Sequence, residues 1–460
     1  MKKTLIIVLS LLNIGNVFAQ EEGFTFSLKE AQEFAVQNNK NLMNTQKDIE
    51  IADEQYKIAR GAGLPQVNAK VDYMTYFNYE FALDFGGGES TQPEINQALL
   101  DAGDFEVLSF INQAFGSSGS STIKMNDQSS ANLQISQLIF SAQYWVGLKM
   151  AKLAKEIAEK NVLATELGVK ETVSNLYFGI VATHEYLRII DNMLQNNKEV
   201  LKRTSDMYEK GLAEEVEVDQ FRMIIFQLEN SKKSMERSIE YTMNTFRFVL
   251  GIDSKNEIIL TENFNILLQG VLSENSLEKE FDILNNPTYQ ILESQEKIGE
   301  KNISMNKWAY APTLAGYYSY TEKILTTAFD LSPKSAAGFT LSIPIVSGGT
   351  RIAELNKAKI ELDKINRNKL LLEEQLNLQN NQLKYELRNA LDNYQMQKEN
   401  TNIAKRVYEN INNKYKQGLV SSLDLTLANN NYLQAENNYI TAALNLLQAK
   451  LNMDKLYNNL

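Results

Sequence analysis

Two stretches of this sequence, each free of proline over nearly 70 residues, lie about 207 positions apart and end in the same words. Tyr208-Glu209-Lys210-Gly211-Leu212 recurs as Tyr415-Lys416-Gln417-Gly418-Leu419, an offset of 415 − 208 = 207. Ile135 to Ser141 recurs as Leu341 to Ser347, at 341 − 135 = 206. Further upstream, Asn38-Asn39 and Leu64-Pro65 match Asn285-Asn286 and Ala311-Pro312, both at 247. The offset therefore falls by 247 − 206 = 41, which places a long insertion, about 82–128, in the first copy. A repeat on this scale says one architecture is written twice.

Each copy predicts a helix, two strands, a very long helix, a tight turn and a returning helix. The first repeat spans 20–250, with a helix over 28–62, strands over about 65–81 and 131–140, and a helical hairpin over 143–250. A linker or equatorial segment covers 251–275. The second repeat spans 276–460, with a helix over 276–310, strands over about 312–321 and 337–346, and a hairpin over 351–457; Pro287 threatens a break in its first helix. At 1.5 Å per residue, a helix of this size reaches roughly 100 Å. Such length needs neighbours to stabilise it. The last helix supplies them with a seam stepping alternately by three and four: Leu425, Ala428, Tyr432, Ala435, Tyr439, Ala442, Leu446, Ala449, Met453, Leu456. Sustained three-four spacing means coiled-coil packing. Subtracting 207 gives the same phase from Val218 to Val249, blurred at Lys232 and Thr242.

The strands alternate with period two. Val67, Ala69, Val71, Tyr73, Thr75, Phe77, Tyr79 and Phe81 form one face, and Gln66, Asn68, Lys70 and Asp72 the other. In the second copy Leu314, Gly316, Tyr318 and Tyr320 face a strand bearing Phe339, Leu341, Ile343 and Ile345. An apolar, aromatic face backed by a polar one suits a barrel wall between lipid and water. Four strands cannot close a membrane barrel, and lipid tolerates no open strand edge. Several protomers must then share one barrel. The fold expected is an α+β membrane protein: a long antiparallel α-helical coiled-coil barrel continued by a β-barrel shared between protomers, four strands each, from two internal repeats.

Lys2, Lys3, the apolar run Leu5 to Leu12 and the small-residue site Val17-Phe18-Ala19 read as a secretory signal over 1–19. Its removal takes the net charge from −11 to −13. Cysteine is absent, so disulfides and thiolate chemistry are excluded. The acidic balance makes nucleic acid an unsuitable partner. No enzyme signature emerges, and no cofactor or metal site is expected. His184 is the sole histidine and sits mid-helix, Gly86-Gly87-Gly88 lacks the Lys-Ser/Thr of a phosphate loop, and Glu373-Glu374 lacks metal-ligand spacing.

The duplicated Tyr-x-x-Gly-Leu, the long helices, and Leu341-Ser342-Ile343-Pro344-Ile345-Val346-Ser347-Gly348-Gly349 leading from strand to helix resemble the TolC-like outer-membrane efflux protein family. The resemblance implies a homotrimer in outer-membrane lipid, with a twelve-stranded barrel and a periplasmic helical tunnel. It implies docking to a periplasmic adaptor (membrane fusion) protein and an inner-membrane transporter, for efflux or type I secretion. It implies an adaptor-docking surface at the hairpin tips, Tyr208, Gly211, Leu212, Tyr415, Gly418 and Leu419. Acidic positions that constrict the tunnel entrance in the family fall here on Glu217 and Asp424; a second acid, one turn on, is replaced by Gln220 and Leu427, and an often basic position is Val420. Three copies of Asp424 around an axis would attract cations and raise one another's pKa. Asp424 also reads simply as the N3 carboxylate of a capping box beginning at Ser421. The rival class is a periplasmic coiled-coil adaptor or tether without a pore, which has no use for aromatic strand pairs.

Overall fold

The computed structural model describes residues 23–77, 79–83, 121–273, 276–325 and 332–460. The signal segment 1–19, the Gly86-Gly87-Gly88 run and most of the inserted loop lie outside the described residues. The chain divides into two compact units.

The helical unit takes in Met1–Gln55, Met150–Glu300 and Lys357–Leu460. Four helices dominate it: α3 (Ala142–Glu209), which returns as α4 (Glu215–Leu250), and α7 (Thr350–Lys416), which returns as α8 (Ser422–Leu456). Their ends keep the offset read from the sequence, 416 − 209 = 207 and 422 − 215 = 207. The α8 seam is buried throughout except at Tyr432 and Tyr439, which are half-buried. There the hydroxyl-bearing rings lie against α7, Tyr439 on Tyr394 and Tyr432 on Tyr408, with centroids 5.8 and 5.5 Å apart. The α4 seam is less complete, because Lys232 turns out to pair with Asp191 at 2.6 Å.

The opening helix expected over 28–62 is two helices, α1 (Leu28–Asn38) and α2 (Lys40–Gly61). Asn39 makes the break: its Oδ1 accepts from the backbone N–H of Asn41 and Leu42, both at 3.0 Å, and so starts the second helix. Its counterpart at the 247 offset, Asn286, does the same for Thr288 and Tyr289. The second opening helix therefore begins at Pro287, not 276: α6 is Pro287–Trp308, preceded by short 3-10 turns at Ser276–Glu278 and Ile283–Asn285. Proline suits this first helical position, where its missing N–H has no partner to lose. The segment read as a linker is also structured. It holds β6 (Ile258–Leu260) and α5 (Phe264–Ser273), and β6 pairs in parallel with β1 (Phe24–Phe26).

The sheet unit takes in Tyr56–Lys149 and Lys301–Asn356. β2 (Gln66–Met74), β5 (Gln128–Phe140), β7 (Thr313–Leu325) and β8 (Ser335–Ser342) form one antiparallel sheet in the order β2-β5-β7-β8. Register puts Val67, Ile135, Tyr318 and Ala337 in one row and Ala69, Leu133 and Tyr320 in the next. Paired residues of an antiparallel sheet share a face, so these rows make the apolar side. The other side carries Asn68, Gln134 and Ser319 in a row, then Lys70, Asn132 and Thr321, with Asn132 bonded to Thr321 at 2.8 Å.

Two strands are shorter than expected. The first stops at Met74 and resumes as β3 (Glu80–Leu83) on a separate ladder with β4 (Ser121–Lys124), because Phe77 takes a left-handed φ of 50°. Thr75, Phe77 and Tyr79 thus leave the apolar face. The last strand stops at Ser342 rather than 346, since Pro344 has no N–H for a ladder.

A candidate gate at the two helical turns

The long helices end at glycine because the chain must turn left-handed there. Gly211 and Gly418 have φ of 73° and 74°. In both turns the glycine N–H and the leucine N–H return to the last helical carbonyls: Gly211 to Tyr208 and Leu212 to Met207, Gly418 to Tyr415 and Leu419 to Lys414, at 2.8–3.0 Å. The leucines are left outside, 70% exposed at Leu212 and 67% at Leu419. Tyr208 is also exposed.

Tyr415 does not join that surface. It is 7% exposed, its ring lies 5.8 Å from that of Phe221, and its hydroxyl meets Thr204 Oγ1 at 2.8 Å. Burial pushes its pKa up. The tyrosine of the second repeated motif is a peg between the two hairpins, whereas Tyr208 of the first is free on the outside.

The next helices start with acids. At α8, Ser421 Oγ accepts the N–H of Asp424 at 3.2 Å, while Asp424 Oδ2 accepts the Ser421 N–H at 3.0 Å and its hydroxyl at 2.7 Å. This is the reciprocal box that the sequence predicts. The Ser421 hydroxyl and N–H hold the Asp424 carboxyl below the usual aspartate range. At α4, Glu217 Oε2 accepts the N–H of Glu214 at 3.4 Å. Its other oxygen reaches the second hairpin, accepting the hydroxyl of buried Ser422 at 2.9 Å. Gln220 Oε1 is 3.3 Å from the same hydroxyl. Glu217 and Asp424 therefore lie at one corner, linked through Ser421 and Ser422.

Further contacts tie the turns together. Arg203 donates to the Lys416 carbonyl at 3.2 Å, and buried Asn197 donates to Asn429 Oδ1 at 3.2 Å. Ser422 and Thr204 were invisible as site residues in the sequence, since a serine after a capping serine carries no signal of its own. Around Glu217 the acids are solvated, with Asp219 paired to Arg222 at 3.0 Å. His184 stands elsewhere, exposed on α3, where partial desolvation lowers its pKa. Among the described residues no group of side chains could hold a metal ion.

Residues 283–459 match the model of the outer membrane efflux protein family. No curated protein matches the sequence. Among solved structures the chain is similar to CusC, whose structures concern folding and transmembrane channel formation, at TM-score 0.71 and 15% identity over 94% of this chain and 92% of that one. It is similar to the CmeC outer membrane channel of Campylobacter jejuni at 0.70 and 16%, over 94% and 85%. It is similar to the outer membrane protein VceC of Vibrio cholerae at 0.68 and 14%, over 94% and 96%. Residues 283–459 thus resemble the outer membrane efflux protein family, and over nearly all of its length the chain has a fold similar to that of these outer-membrane channels.

Proposed function

We propose that the protein is the outer-membrane channel of a tripartite efflux or type I secretion system, conducting substrates from a periplasmic adaptor and inner-membrane transporter to the exterior. The observation that carries this reading is the sheet. β2 and β8 are its outer strands, neither has a further partner among the described residues, and the apolar face stands exposed. In lipid both edges must be paired. Three protomers would supply 3 × 4 = 12 strands, each β8 meeting the β2 of a neighbour. The helical hairpins then form the periplasmic conduit, with the acids of Glu217 and Asp424 at its entrance and Leu212 and Leu419 facing the adaptor. The shared 207-residue offset of both hairpins supports their origin by duplication.

Purified protein added to a planar lipid bilayer tests this directly. Discrete single-channel steps are expected. A protein that leaves the bilayer electrically silent and fractionates as a soluble periplasmic species would instead be the tether.

A further inference from the structure

The strand–helix junctions of the sheet unit carry a charge that runs against the rest of the chain. The protein is acidic, with 57 Asp and Glu against 46 Lys and Arg. Yet the segments flanking the strands (56–66, 138–149, 301–314 and 342–356) hold Lys57, Arg60, Lys149, Lys301, Lys307 and Arg351 against Glu354 alone. The register brings these segments to one edge of the sheet: Gln66 lies opposite Ser136, Phe140 opposite Leu314, and Thr313 opposite Ser342. Among the described residues, none of Arg60, Lys149, Lys307 or Arg351 reaches a carboxylate. Arg351 instead sits over the Tyr310 ring at 5.8 Å.

The same edge holds both tryptophans of the chain. Trp145, in the first turn of α3, is 60% exposed, and Trp308, at the last residue of α6, is 50% exposed. Neither indole N–H has a partner among the described residues. An exposed indole is poorly placed in water or hydrocarbon and well placed at the boundary between them. Unpaired cations beside it are drawn to anionic lipid headgroups.

We propose that this edge is a phospholipid collar, in which Arg60, Lys307 and Arg351 take the phosphates of anionic glycerophospholipids and Trp145 and Trp308 sit at headgroup depth. The collar rests on the reading of the sheet as part of a membrane barrel and adds to it a lipid preference that the barrel does not require.

The full chain is reconstituted into phosphatidylcholine vesicles, and its tryptophan fluorescence is quenched by bromines near the headgroup end of the acyl chains or near their termini. Shallow bromines should quench more strongly. In mixed vesicles, brominated phosphatidylglycerol should quench better than brominated phosphatidylcholine, and that preference should fall about fivefold for each of Arg60→Gln, Lys307→Gln and Arg351→Gln. Inorganic phosphate should not relieve the phosphatidylglycerol effect. Stronger quenching by deep bromines, equal quenching by the two lipids, a preference intact in the triple variant, or competition by free phosphate overturns the collar. If the protein still conducts in those vesicles, the channel reading survives that outcome. A chain that fails to enter vesicles at all overturns both.

Discussion

The hydroxyl of Ser422 on the second helical hairpin lies 2.9 Å from Oε1 of Glu217 on the first, so one hydrogen bond joins side chains 205 residues apart. Its acceptor is charged, and its donor is buried, which makes it stronger than an ordinary surface contact. The same glutamate begins α4 by accepting the Glu214 N–H. A residue that caps one helix and holds the neighbouring turn couples local order at the tip to the distance between hairpins.

Ser422→Ala removes that link while leaving the cap at Ser421. It should destabilise the hairpin pair by about 1.5–3 kcal/mol, the range for hydrogen bonds to charged groups. With the turns released, single-channel conductance should rise, and Ser422→Thr, which keeps the hydroxyl, should restore the parent value. Equal conductance in Ser422→Ala and the parent would show that the contact does not close the entrance.

Acid should loosen the start of α8. The Asp424 carboxyl is held below its ordinary value of 3.8 by the Ser421 hydroxyl and N–H. A depressed native pKa adds stability that is complete above the unfolded value and is lost as pH falls through the native one. Ser421→Ala should therefore lower the melting midpoint at neutral pH and flatten its decline between about pH 5 and pH 3. Thermal melts across that range would contradict this if the two curves ran parallel. Assembly would work against this lowering, because clustered Asp424 copies raise one another's pKa.

The tip leucines and Tyr415 should separate cleanly by assay. Leu212→Ser and Leu419→Ser alter exposed side chains and should shift stability by no more than about 0.5 kcal/mol, yet abolish transport in a deletion strain. Tyr415→Phe loses its bond to Thr204 and should cost about 1 kcal/mol with transport retained. The reverse pattern in melting and complementation assays would move the docking surface to the tyrosine.

On the sheet, neighbouring positions should respond oppositely. Phe339 is 78% exposed on the apolar face, and Thr340 points to the polar one. Phe339→Arg places a cation in lipid at a cost of about 2–4 kcal/mol near the bilayer midplane. It should deplete the protein from outer-membrane fractions, whereas Thr340→Arg should leave its amount there unchanged. Similar depletion by both would mean that the face does not meet lipid.

The long helices were legible because their signals are local and repeated. Three-four spacing from Leu425 to Leu456, a glycine at each turn and the capping box at Ser421 all stand within a few residues of what they control. The alternating face from Val67 to Tyr73 was legible for the same reason. The break between α1 and α2 was written in Asn39, but asparagine within a helical pattern caps only where the chain has a reason to bend. The pairing of β1 with β6 joins residues more than 230 positions apart and left no pattern in either three-residue strand. Phe77 extended the alternation of β2 in sequence while its backbone ended it. At the turns, the repeated tyrosines looked equivalent. Only Thr204 and Phe221, brought in from the other hairpin, make Tyr415 a buried peg.

Counting chains in the assembled particle tests the central claim most directly. Native mass spectrometry of protein extracted from outer membranes in mild detergent should give a particle of three chains, with no stable monomer, as a barrel closed by three four-stranded sheets requires. A monodisperse single chain that remains folded and soluble without detergent would contradict it.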